Sequence, residues 1–77
     1  MEPKDELSTE TRMALLQQER QAALNTREVM TIRHRVHKRL GNQEGMDATT
    51  KELEKCETIL DELDKMFQEL QQLNVTQ

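Results

Sequence analysis

The sequence predicts an all-α protein: a two-helix antiparallel coiled-coil hairpin, completed by self-association or by a partner chain. Three observations predict it. Apolar residues recur every seven positions in two separate stretches, the period of a helix with one apolar face. The seven-residue phase of the first stretch is largely lost in the second. Both glycines, Gly41 and Gly45, fall between the two stretches, where a chain reversal would place them.

Size and composition set the conditions. Seventy-seven residues hold one domain. A chain this short buries only about 60% of its unfolded surface. Apolar and charged residues each make up 34% of the chain, and Phe67 is its single aromatic. Little burial per residue is therefore set against chain entropy. Composition alone would allow disorder, but regular apolar spacing argues for helices that need copies or a partner.

The first helix is expected over residues 8–40. Ser8 or Thr9 is suited to the N-cap, with Glu10 in the first turn, where the helix dipole favours an anion. Leu15, Ala22, Val29 and Val36 repeat by sevens, and Leu16, Ile32 and Leu40 lie beside them. Arg35, Lys38 and Arg39 fall in the last turns, where cations are favoured, and Gly41 follows as a C′ residue. A turn is expected over 41–46.

The second helix is expected over residues 47–73, capped by Asp47 or by Thr49, which forms a capping-box pattern with Glu52. Met46, Leu53, Leu60 and Phe67 are spaced by seven, as are Cys56, Leu63 and Leu70. Together they give the 3-4 alternation of a coiled-coil seam. Residues 1–7 and 74–77 are expected to fray.

Turn and continuous helix make different predictions. Extending the phase of Val29 and Val36 lands on Gln43, Thr50, Glu57 and Asp64, all polar. The Ile32 phase does continue, past Arg39, into Met46, Leu53 and Leu60. Folding the chain instead sets Val36 opposite Leu53, Ile32 opposite Cys56, Val29 opposite Leu60, Ala22 opposite Phe67 and Leu16 opposite Leu73. It also sets the basic residues 33–39 against the acidic stretch 44–57. The hairpin satisfies both apolar pairing and charge.

Net charge is −4, distributed unevenly: residues 19–40 are net basic and 41–77 net acidic. Arg33, Arg35, Lys38 and Arg39 form a candidate electrostatic patch for phosphate groups of nucleic acid or lipid. No aromatic is interleaved for base stacking and the chain is acidic overall, so nucleic acid is not the expected partner, and peripheral membrane contact is a weak second. His34 and His37 share a helical face, yet the surrounding cations oppose a metal ion. No metal or cofactor is expected. Cys56 is a seam residue and reads as a small core side chain rather than a nucleophile. Two helices offer no pocket that would desolvate a carboxylate, so the expectation is no enzyme. Met13, Met30, Met46 and Met66 suit either gap filling or an adaptable surface.

Processing signals are sparse. No run of about 18 apolar residues is present to span a bilayer. The N-terminal residues MEPKDELSTE do not read as a secretory leader, and the KDEL at residues 4–7 is internal, whereas retention is read at a C-terminus. Asn74, Val75 and Thr76 match a glycosylation sequon, which lacks meaning without secretion. A single cysteine cannot form an internal disulfide, which fits a reducing, cytoplasmic setting.

The stretch EGMDATTKELEKCETILDELDK resembles the second half of the first coiled-coil motif of synaptosome-associated-type SNARE proteins. TETRMALL and LNTREVM resemble the start of that motif, so the likeness spans residues 11–66. It implies that Met46, Leu53, Cys56, Leu60 and Leu63 occupy packing layers, and that the chain folds with three other helices in membrane fusion. Three departures stand out. The central glutamine layer falls on Arg35, and neighbouring layers fall on Arg39 and Asn42. No cysteine-rich lipidation segment follows, and the seam runs on to Phe67 and Leu70.

The residues alone give a different leading expectation: a non-enzymatic protein–protein interaction module, an adaptor, assembly or chaperone-like subunit. Its partner would be another helical protein or copies of itself. Its seam would comprise Val29, Ile32, Val36, Met46, Leu53, Cys56, Leu60, Leu63, Phe67 and Leu70.

Overall fold

The computed structural model describes residues 8–76, with side-chain surroundings for residues 8–72. Helix α1 spans Thr9–Leu40 and helix α2 spans Gln43–Thr76. They pack against each other along an antiparallel hairpin of 55 × 22 × 16 Å. The expected fraying of residues 1–7 and 77 lies outside the described residues.

α1 begins as its sequence predicts. Ser8 has extended backbone angles, and its hydroxyl accepts from the Thr11 N–H at 3.1 Å. One of the unpaired donors of the first turn is thereby satisfied. The helix ends at Gly41, whose φ of 69° places it in the left-handed region. The Gly41 N–H donates to the Lys38 carbonyl at 3.1 Å, and the Asn42 N–H to the His37 carbonyl at 2.8 Å. This pair of bonds is a Schellman motif.

The turn is shorter than expected. α2 starts at Gln43, four residues ahead of the predicted start, and only Gly41 and Asn42 connect the helices. Asn42 is the reason. Its side-chain Oδ1 accepts from the Gly45 N–H at 3.0 Å, and its carbonyl accepts from Met46 N–H at 3.0 Å. The cap is therefore Asn42, rather than Asp47 or Thr49. Thr49 is a buried residue inside the helix, and the capping box with Glu52 does not form. At the other end, α2 continues through Thr76, past the expected stop near Leu73.

The two glycines play different parts. Gly41 supplies the left-handed conformation that L residues adopt only at a cost. Gly45 lies within α2, and a Cβ there would collide with the His37 ring. Its small size lets the helices approach where they leave the turn.

The short turn also sets the register. Arg27 faces Glu57 at 3.0 Å, Arg20 faces Asp64 at 3.4 Å, and His34 Nδ1 lies 2.8 Å from Thr49 Oγ1. Pairing is displaced from the expected one, in which Val29 met Leu60 and Val36 met Leu53. α1 is turned as well. Its inward residues are Met13, Leu16, Arg20, Ala23, Arg27, Met30, His34 and His37, in a 3-4 alternation. From α2 they meet Met46, Thr49, Leu53, Cys56, Leu60, Leu63, Phe67 and Leu70. Among the described residues, the buried apolar ones are Ala23, Cys56, Leu60, Leu63 and Leu70. The core is one-sided: a leucine seam from α2 closes on a mixed face of α1. Leu73, the expected partner of Leu16, lies outside the residues whose side chains are described.

Two outcomes follow from this packing. Leu60→Ala should cost about 2–5 kcal/mol by leaving a cavity in the seam, read from the loss of helical signal in urea. Gly45→Ala should fail to show the roughly 1 kcal/mol gain of an ordinary helical Gly→Ala, because the new methyl meets His37. In a His37→Ala background the same substitution should recover that gain; equal effects in both backgrounds would refute the close approach.

Candidate interaction surface

The sequence-predicted seam divides into two sets. Met46, Leu53, Cys56, Leu60, Leu63, Phe67 and Leu70 face α1, buried or half-buried. Val29, Ile32 and Val36 do not join them. They are 42%, 53% and 48% exposed, on the outside of α1. Leu15 and Leu40 are exposed with them, as are Ile59 and Met66 of α2.

The outer residues of α1 are ordered. Leu15, Ala22, Val29 and Val36 keep the seven-residue spacing, and Ile32 lies three residues after Val29 and four before Val36. At helical periodicity these positions share one side. Arg33 and Arg35 bracket this stripe on opposite flanks, Arg33 lying four residues after Val29 and three before Val36, and Arg35 three after Ile32. In a coiled coil those flanks are the e and g positions, which choose partners by charge.

The basic residues are likewise divided. Arg20 and Arg27 reach across to Asp64 and Glu57, along an edge that also holds Leu24, Leu60 and Asp61. Arg33, Arg35, Lys38 and Arg39 are all exposed. Among the described residues they make no ion pair: residues 33–39 run alongside the start of α2, as His34–Thr49 and His37–Gly45 show, but without the expected charge pairing. The cause is the rotation of α1, which turns its inward side to His34 and His37. On the other edge, near the helix ends away from the turn, Leu15, Leu16, Met66 and Leu70 line a shallow cleft with Arg12, Glu19 and Glu69.

Polar groups near the turn are engaged internally. The Thr49 hydroxyl lies 3.0 Å from the Gly45 and Met46 carbonyls. With its one proton directed at them, it accepts from the Nδ1–H of His34. His37 Nδ1 accepts from the Asn42 side-chain amide at 3.2 Å, so its ring proton sits on Nε2. The two histidines thus have separate structural partners. Among the described residues no group of three or more His, Cys, Asp or Glu side chains is placed to hold a metal ion. Cys56 is a free thiol buried between the helices.

Elsewhere α2 carries its own charge pairing. Lys65 donates to Glu62 at 3.3 Å, with Asp61 at 3.6 Å. The hydrogen bond and charge of Glu62, then those of Asp61, hold the ammonium above its ordinary range. Among the described residues no helix is long and apolar enough to cross a membrane. Comparison with protein-family models, curated protein sequences and solved structures returned no match.

Sequence reasoning found the apolar stripe of α1 but assigned it to the wrong side. Ala23, His34 and Thr49 were missed as inward positions. The available signal was the seven-residue spacing of Leu16, Ala23 and Met30, with Met13 three residues before Leu16, weakened by the arginines and histidines interleaved with it.

Charge reversal separates the two basic sets. Arg27→Glu places like charges opposite one another and should destabilise the hairpin by about 0.5–1 kcal/mol at low salt. Arg35→Glu should leave it within about 0.5 kcal/mol of the parent. Thermal melts of both variants check this; a reversed ranking would refute the orientation of α1.

Proposed function

We propose that the protein is a non-enzymatic interaction module, whose hairpin presents the outer stripe of α1 to another helical protein or to a second copy. The observation that carries this reading is the stripe itself. Val29, Ile32 and Val36 stand in solvent at coiled-coil spacing, with Leu40 exposed four residues further on, while the hairpin closes without them. Contiguous apolar surface of this kind marks an association site.

The working surface differs from the one that the seam suggests. Leu53, Leu60, Leu63 and Phe67 hold the hairpin closed, and α1 meets the partner. The alternative reading is a helix that opens to join a SNARE-type four-helix bundle, supported by the layer spacing of Leu53, Cys56, Leu60 and Leu63. In that case the residues of the hairpin core would face the partner.

A triple variant, Val29→Asn, Ile32→Asn and Val36→Asn, tests the proposal. Asn differs little from Val in helix propensity, so helical signal and urea midpoint should stay near the parent's. Association, measured by sedimentation equilibrium and by co-purification from cells, should be lost. Parent-like association of the triple variant, with loss in Leu63→Ala instead, would favour the opened bundle.

A further inference from the structure

Resting on the interaction-module reading, we infer that the partner of the α1 stripe is an acidic amphipathic helix on another protein, docked lengthwise over Val29, Ile32, Val36 and Leu40. Charge complementarity selects it. Arg33 and Arg35 flank the stripe on its two sides, and Arg39 extends it toward the turn. All three are exposed, without an ion pair among the described residues. A helix with apolar residues at 3-4 spacing and carboxylates on both flanks satisfies the apolar and charged positions together.

A second copy fits less well. Its α2 is acidic, but among the described residues the exposed large apolar side chains there are Ile59 and Met66, a full heptad apart. Its α1 is apolar enough, but the flank positions that antiparallel stacking would bring to the arginines are Arg12, Glu19 and Thr26 on one side and Ala14, Gln21 and Glu28 on the other, one carboxylate to a flank. Neither face of the copy offers an apolar stripe with carboxylates along the whole of both flanks. A lipid surface also fits less well. The stripe is aliphatic with no aromatic anchor, Phe67 faces the hairpin interior, and the acidic α2 lies alongside.

The test uses the full chain and two synthetic heptad-repeat peptides with leucine at the a and d positions. One carries glutamate at e and g, the other lysine. The glutamate peptide is expected to bind at least tenfold more tightly than the lysine peptide, with affinity falling as salt rises. The double variant Arg33→Glu and Arg35→Glu should reverse that preference while circular dichroism shows an intact hairpin. Equal binding of both peptides would overturn the acidic partner while leaving the stripe as an interaction surface. So would stripe-dependent dimerisation in sedimentation equilibrium without peptide binding. Flotation with phosphatidylserine vesicles, abolished by the double variant and without peptide binding, would replace the protein partner with a membrane. A monomer that binds neither peptide nor vesicles would overturn both this inference and the interaction-module reading.

Discussion

The two-residue connection between the helices governs the rest of the structure. Gly41 and Asn42 carry a left-handed residue, two C-terminal capping bonds and an N-cap within one short segment. A longer loop would let α1 rotate until its most apolar face met α2. This one fixes where α1 stops, where α2 starts and which side of each faces the other. Gly45 completes the constraint by admitting the His37 ring against the first turn of α2. The polar contacts from His37 to Asn42 and from His34 to Thr49 lie in the same region. The turn-proximal end is thus held by geometry and hydrogen bonding, and the distal end by the seam around Leu60, Leu63 and Leu70.

This explains which parts of the fold were legible in the sequence. The seam of α2 was plain because its apolar period is strong and its interruptions few. The hairpin was legible from Gly41 and from the mismatch of phase between the two stretches. The turn length was harder to read. Asn42, Asp47 and Thr49 are all competent caps, and local pattern does not rank them; the choice is made where Asn42 bonds Gly45 and His37 together. That choice displaced the register, and the expected cross-helix pairs among the described residues moved with it.

The side of α1 was illegible for a further reason. Hydrophobic periodicity reports which residues share a face, and not which of two faces a given neighbour will cover. α1 has two candidate faces. One contains Leu15, Ala22, Val29 and Val36; the other contains Leu16, Ala23 and Met30 among arginines and histidines. Apolarity favours the first as a core, but the mixed face has groups that α2 can satisfy. Arg20 and Arg27 can lay their stems along the interface and keep their charges at its edge, where Asp64 and Glu57 stand. Small Ala23 admits the bulky seam, and His34 finds a hydroxyl. The candidate surface was therefore visible as a set of residues but invisible as a surface until the turn assigned its side.

The composition of the outer stripe is itself informative. Val29, Ile32 and Val36 are β-branched, and such residues lose side-chain freedom in a helix. At exposed positions of a free hairpin, neither propensity nor solvation favours them over Glu, Lys or Gln. The inner face shows the converse, with charged and imidazole side chains where apolar ones would bury more surface. Both departures run against stability of the hairpin alone, and the exposed ion pairs that edge it contribute little. They are consistent with a chain whose stability includes a second contact. A partner bound only by the folded hairpin would stabilise it by mass action, and ordering α1 from outside would reinforce the pairing inside. On this reading the closed hairpin and the docked hairpin share one free-energy balance: α2 supplies the inner half of the packing around α1, and the partner supplies the outer half.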